Sequence, residues 1–113
     1  MEFKHSPAPW RCNDKRPNCS GYSIVGNDGR YIGFVGDSDE LSPCDANAHL
    51  IAAAPELLDA LRELIQTHEY SLRIGYERII ELGDDCDSPE IMITKDSSLN
   101  KAKAAIAKAL GQQ

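Results

Sequence analysis

An amphipathic helical pattern with a proline inside it, over residues 45–65, constrains the fold of this chain more than any other feature. At about 100° per residue, its apolar side chains fall within an arc of roughly 140°: Leu50, Ile51, Ala54, Leu57, Leu58, Leu61, Leu64 and Ile65. The opposite side carries acidic residues, namely Glu56, Asp59 and Glu63. Because the apolar pattern continues through Pro55, we expect a helix over 43–69 that the proline kinks or restarts, with the apolar side covering the rest of the core.

Two β-rich segments, 22–25 and 31–35, flank the turn sequence Gly-Asn-Asp-Gly at 26–29. Asn, Asp and Gly tolerate the positive φ that tight turns require, so the pattern predicts a β-hairpin over 21–36. Two strands alone are marginal in water, and the hairpin must therefore lie on the helix or pair with another strand or subunit. The preceding segment, 1–20, contains three prolines and is expected to be an irregular arm.

The second half of the chain predicts one or two further helices. A separate helix is expected over 71–82 and a final one over 97–110, capped by Ser97 or Ser98 and ended by a glycine at position 111. Between them, residues 83–96 are expected to form an acidic loop, with 91–94 as a packed loop rather than a strand. The fold class is therefore α+β: a small antiparallel hairpin packed on a kinked long helix, followed by C-terminal helices, in one domain of 113 residues.

The net charge of −6 argues against binding to a phosphate backbone, which requires a concentrated positive face. Acidic residues are concentrated between positions 81 and 96, either as a solvated loop or as a face that docks on a basic partner. The candidate partner-binding residues are Asp84, Asp85, Asp87 and Glu90, together with the single tryptophan, Trp10. Trp10 is expected to cover the helix or the sheet edge, with a partner-binding anchor as the alternative.

The four cysteines do not have the spacing of a structural metal site. Six residues separate Cys12 from Cys19, Cys44 and Cys86 stand alone, and zinc knuckles usually have two to four residues between paired ligands. A Cys12–Cys19 disulfide remains an alternative to free thiols. No apolar run approaches the roughly 18 residues of a membrane span, and the N-terminus lacks an apolar signal core, so we expect a cytoplasmic chain with reduced thiols and no bound metal.

Catalytic signatures are weak, and the chain is predicted not to be an enzyme. Cys44 lies near a helix N-terminus, but no sequence feature assigns it a histidine partner, and no phosphate-binding glycine loop is found. No cofactor is expected. If the chain instead binds a small signalling nucleotide, the candidate ligand-binding residues are Arg11, Arg16, Arg30 and Asn47. Asn47 falls on the apolar side of the helix, where a satisfied buried amide is the ordinary interpretation.

Three segments resemble a family of small proteins encoded by bacteriophages and prophages. Residues 5–10 (HSPAPW) are similar to its opening HTPGPW motif, residues 46–61 to its ANARLIAAAPELLEAL helix, and residues 101–109 to its closing RARAAIAKA segment. Ser6, Ala8 and His49 replace the usual Thr, Gly and Arg, and the cysteines are not part of the pattern.

The resemblance implies a phage accessory protein that acts in the cytoplasm of a bacterial host, and it transfers no catalytic residues. By analogy with other small acidic phage proteins, we expect a stoichiometric inhibitor of a host defence component, such as a CRISPR effector, that binds through protein–protein contact. The alternatives are an oligomeric sponge for a signalling nucleotide and a structural or self-assembly protein. A homodimer is compatible with all three.

Overall fold

A computed structural model describes residues 5–13, 21–36 and 43–112. The chain divides into two compact units, residues Met1–Leu57 and Leu58–Gln113, with the boundary inside a long helix. The elements of both together form the expected α+β arrangement, a small antiparallel sheet followed by helices.

The sheet of the first unit has three antiparallel strands in the order β1 (Arg11–Asn13), β2 (Gly21–Val25) and β3 (Tyr31–Gly36). β2 and β3 confirm the hairpin, and Gly29 adopts the positive φ of 79° that the turn sequence predicted. β1 corrects the expectation of a wholly irregular arm. Arg11 pairs with Val25, because the hairpin left one edge of β2 with unpaired backbone groups.

Helix α1 (Cys44–Ala52) covers one face of this sheet with small side chains. Cys44 and Ala48, one turn apart, are buried together with Ile24 of β2, each with about 1% or less of its surface exposed. The expectation that the leucine side of the helix covers the hairpin is wrong, because Leu50 is 62% exposed and Leu57 is 53% exposed. A narrow stripe of small residues lets a helix approach a sheet closely. The sequence pattern indicated the leucine side instead, because hydrophobic periodicity gives more weight to the larger side chains.

The proline divides the helix as expected. α1 ends at Ala52, and α2 (Ala54–Glu81) begins two residues later with Pro55 as its second, buried residue. Backbone hydrogen bonds continue across the junction, from Ala53 N–H to His49 C=O and from Leu57 N–H to Ala53 C=O, both 3.0 Å long. Pro55 therefore occupies a position where its missing N–H removes little.

α2 continues through the break that was expected between 69 and 71, which is a correction. Neither proline nor glycine occurs there, and Gly75 further along is exposed with open space around its Cα, so it costs only about 1 kcal/mol relative to alanine. The helix ends at Glu81, and Gly83 follows it with a φ of 85° while Asp84 N–H donates to Ile79 C=O over 3.1 Å.

The expected acidic loop over 83–96 contains a short helix, α3 (Pro89–Lys95), so the interpretation of 91–94 as loop is wrong. Ser88 caps α3 by accepting a hydrogen bond from Ile91 N–H over 3.3 Å, and Pro89 occupies the first helical position. This capping signal was present in the sequence, but seven residues are too few to show a helical period.

The last helix, α4 (Ser97–Ala109), confirms the predicted segment and its apolar stripe: Leu99 and Ile106 are 3% and 7% exposed. Its cap is Asp96 rather than Ser97 or Ser98, because the Asp96 carboxylate accepts from Leu99 N–H over 2.9 Å. Two ion pairs, Glu69–Lys103 at 2.6 Å and Arg73–Glu90 at 3.3 Å, join α2 to the segments that follow it in the second unit, and a His68 ring nitrogen forms a hydrogen bond of 2.9 Å with the Asp96 carboxylate.

Candidate functional surfaces

The acidic segment is divided between paired and unpaired carboxylates. Asp87 contacts Lys95 at 3.2 Å and Glu90 contacts Arg73 at 3.3 Å, so both contribute to the helical unit itself. Asp84 and Asp85 are exposed between α2 and α3 and have no ion-pair partner among the described residues. The four predicted residues therefore lie on one segment, but only Asp84 and Asp85 carry charges that no described ion pair compensates.

Trp10 is half-buried in the first unit, and its indole N–H donates to the Ser6 carbonyl oxygen over 3.0 Å. The His5 ring lies edge-on to the indole, with centroids 5.8 Å apart. The same short segment contacts the hairpin turn, because Asn27 N–H donates to Pro7 C=O over 2.9 Å. These contacts give the HSPAPW segment a local structural role and satisfy the polar atom of the tryptophan.

The residues proposed for a nucleotide lie on different elements in the described part of the chain. Arg30 is at the hairpin turn, where it faces Asp28 at 3.8 Å, and its side chain is 87% exposed. Arg11 is an exposed residue at the start of β1. Asn47 is exposed on α1, which corrects the expectation of a buried amide, and Arg16 lies outside the described residues.

One thiol does have a histidine neighbour, and it is not the one that the sequence singled out. Cys12 on β1 and His49 on α1 meet with 3.6 Å between Sγ and Nδ1. Cys44 is instead buried, and its thiol donates to the Val35 carbonyl oxygen over 3.1 Å. No sequence signal could join Cys12 to His49, because 37 residues separate them and only the packing of α1 on the sheet brings them together.

The solvent side of α2 in the second unit carries an uncharged face. Between positions 64 and 74, the residues within an arc of about 120° on this side are all exposed and include no charge: Leu64, Thr67, Tyr70, Ser71 and Ile74. We call these five residues the outer face of α2. The large members are 65% (Leu64), 63% (Tyr70) and 44% (Ile74) exposed.

The sequence pattern indicates a second apolar side on this helix but does not show that this side is exposed. Ile74 falls off the stripe formed by Leu72, Tyr76 and Ile79, and those three are the residues that become half-buried. A helix with apolar side chains on two sides is unusual for a surface element, since one side is normally charged or polar.

Metal and membrane signals are lacking in the part of the chain that the structure describes. No group of three or more metal-binding side chains comes together among residues 5–13, 21–36 and 43–112. Within the same ranges, no helix combines the length and apolar character that crossing a membrane requires. The disulfide alternative for Cys12 and Cys19 involves a residue outside the described part of the chain; Cys12, Cys44 and Cys86 form no disulfide with one another.

Comparisons with known proteins agree on a phage origin. The family model of Salmonella phage P22 protein Y8K6 matches residues 1–113, the whole chain. The phage-like element PBSX protein XkdD of Bacillus subtilis (strain 168) is 39% identical over 92 residues, which cover 72% of this chain and 78% of that protein. No solved structure matches. This chain therefore belongs to the phage protein family of Salmonella phage P22 protein Y8K6.

Proposed function

We propose that this phage protein binds a host protein through the outer face of α2 and thereby inhibits a host defence component, such as a CRISPR effector. One observation carries the proposal: an exposed, uncharged face with two large side chains, Tyr70 and Ile74, one turn apart on a stable helix. Exposed apolar clusters of this kind are typical of docking sites, and an aromatic residue is a preferred anchor in them.

The outer face is a better primary contact than the acidic segment. Covering a fully exposed isoleucine is worth roughly 1.5–3 kcal/mol, and because Ile74 is 44% exposed, covering the rest of it is worth about 1 kcal/mol. Asp87 and Glu90 already have cationic neighbours, so a partner that used them would have to replace those ion pairs with new ones. Exposed pairs contribute little, about 0–1 kcal/mol each, and exchanging them gives little net affinity.

Charge around the outer face indicates what a partner would look like. Glu63 precedes the face and Glu77 and Arg78 follow it; all three are exposed, and the charge of Arg78 is offset by Glu81 at 3.9 Å. Asp84 and Asp85 add two uncompensated charges beyond the end of α2, on a chain with a net charge of −6. The complementary site is an apolar groove that accepts a helix and has a basic rim, which would steer encounter electrostatically.

Inhibition, rather than binding alone, is proposed by analogy with other small acidic phage proteins. The chain is proposed to be non-enzymatic and to act in the host cytoplasm at a fixed ratio to its target. A nucleotide sponge has no specific observation in its favour, because Arg11, Arg30 and Asn47 are exposed residues on β1, in the hairpin turn and on α1. A self-assembling structural protein would use the same outer face for contact between copies. Measuring the oligomeric state by light scattering distinguishes that function from binding to a host protein.

The test is a phage challenge of bacteria that carry one defence system at a time, each expressing the wild-type chain or a variant. Wild type should restore plaque formation against one system by at least tenfold, and Tyr70→Glu and Ile74→Glu should abolish the effect. Ala105→Glu on the exposed side of α4 is the matched control, since it adds the same charge to an exposed helical position. Immunoblots and circular dichroism establish that all variants accumulate and fold.

Two outcomes would overturn the proposal. If Tyr70→Glu and Ile74→Glu protect the phage as well as wild type does, the outer face is not the binding surface. If the wild-type chain is a dimer by light scattering and Tyr70→Glu converts it to a monomer, the face joins two copies and the assignment to a host protein is wrong. Charge reversal of Asp84 and Asp85 should lower the association rate and its salt dependence without abolishing binding.

A further inference from the structure

A thiol and an imidazole from different elements meet in the first unit. Cys12 Sγ is 3.6 Å from His49 Nδ1, within the distance at which a thiol donates a hydrogen bond to an unprotonated ring nitrogen. Cys12 reaches this position because it pairs with Ile24, whose side chain faces α1, and partners in an antiparallel pair lie on the same face. Tyr22, two residues before Ile24, also faces α1, and its ring lies against the His49 ring with centroids 6.3 Å apart.

The surroundings of this pair leave it accessible. Cys12 is half-buried and His49 is exposed, so a small reagent can approach the sulfur from solvent. The position of His49 on α1 and the neighbouring Tyr22 ring, whose centroid is 6.3 Å from that of the imidazole, restrict the His49 side chain near the sulfur. The other described thiols differ: Cys44 is buried against a backbone carbonyl, and Cys86 lies in the acidic segment between Asp85 and Asp87.

We infer that Cys12 and His49 form a nucleophilic thiol site that reacts with peroxide-class oxidants. The Cys12 sulfur attacks one peroxide oxygen while His49 accepts the thiol proton; an S–O bond forms and the O–O bond breaks. His49 returns the proton to the departing hydroxide, which leaves as water. The balance is one thiol and one hydrogen peroxide giving one sulfenic acid and one water, with the sulfur oxidised by two electrons and the peroxide reduced.

The chemistry requires the imidazole as a proton acceptor and not merely as a neighbour. General-base catalysis of this kind contributes roughly 10²–10⁴-fold when the geometry is maintained. An asparagine at position 49 can keep a hydrogen bond to the sulfur but cannot carry the proton. His49→Asn is therefore the informative variant, and since the side chain is exposed, it should leave the fold intact.

The test treats the full chain with hydrogen peroxide in the presence of dimedone, which traps sulfenic acids, and follows the loss of each free thiol by mass spectrometry. Trypsin places the four cysteines in separate peptides, residues 12–15, 16–30, 31–62 and 79–95. Cys12 should be consumed first as the dimedone adduct, and His49→Asn should slow its consumption at least tenfold while leaving Cys86 unchanged. In His49→Ala, added free imidazole should restore a measurable part of the Cys12 rate.

Several results would overturn the inference. If Cys12 is consumed at the same rate in wild type and in His49→Asn, the imidazole does not act as a base. If imidazole fails to raise the Cys12 rate in the alanine variant, the effect of His49 is structural. If the Cys86 rate falls by the same factor as the Cys12 rate in variants that circular dichroism shows to be folded, the effect is not specific to the Cys12–His49 pair and the inference is wrong.

Discussion

Changing the size of side chains on two sides of α1 tests which side of this helix packs on the sheet. The structure places Ala48 at the contact, with none of its surface exposed, whereas Leu50 is 62% exposed. Ala48→Leu inserts three carbon atoms where Ile24 and Cys44 already fill the space, and overpacking of this kind costs typically about 1–3 kcal/mol. Leu50→Ala removes a side chain that is covered over little more than a third of its surface. Full burial of leucine is worth roughly 1.5–3 kcal/mol, so its truncation should cost at most about 1 kcal/mol.

The measurement is urea unfolding of the wild type and the two variants, followed by the fluorescence of Trp10. Trp10 is the single tryptophan and belongs to the same unit as α1, so its signal reports unfolding of that unit. Ala48→Leu should lower the unfolding midpoint well below that of Leu50→Ala, with similar slopes for both.

The opposite ranking would refute the reasoning. If the leucine side of the helix covered the sheet, as the sequence pattern suggested, Leu50→Ala would create a cavity and cost about 2–5 kcal/mol. Ala48→Leu would then lie near the surface and change the free energy of unfolding by no more than about 0.5 kcal/mol.

Two further changes test other parts of the structure. Gly21→Ala should lower the free energy of unfolding by about 1–3 kcal/mol in the same urea assay, because the new Cβ would collide with the Val35 carbonyl oxygen and lie 2.8 Å from the Gly36 Cα. Gly33→Ala is the control and should be near neutral, since its new Cβ meets open space. Equal losses of stability in the two variants would contradict the β2–β3 geometry. The hydrogen bond from His68 and the α4 backbone lower the pKa of Asp96 below its usual 3.8, so its stabilising effect is complete above that pH and is lost as the pH falls through the lower folded value. Acid titration by circular dichroism should therefore show a shallower loss of helix for Asp96→Asn, which keeps a capping oxygen but has no charge; identical titrations would contradict this.

Local signals in the sequence predicted most of the elements. The Gly-Asn-Asp-Gly turn specifies the hairpin, Pro55 marks the helix junction, and Gly111 ends α4 with a φ of 72°. Each of these depends on a few neighbouring residues whose backbone preferences are strong. The missed helix α3 also has a local signal, the Ser88–Pro89 cap, but its seven residues are too few to show a helical period.

Packing partners were harder to predict, because a helical period identifies sides without saying which side is covered. In α2 the half-buried residues, among them Ile65, Leu72 and Tyr76, share a side that is rotated by about 100° from Leu64. In the sequence pattern Leu64 and Ile65 belong to a single apolar arc. Only the position of the following helices determines that Ile65 is half-buried and Leu64 is exposed. Leu64 is thereby left on an exposed apolar side, which would be a liability in a chain with no partner. This is the physical reason to look for the function of the second unit on the outer face of α2.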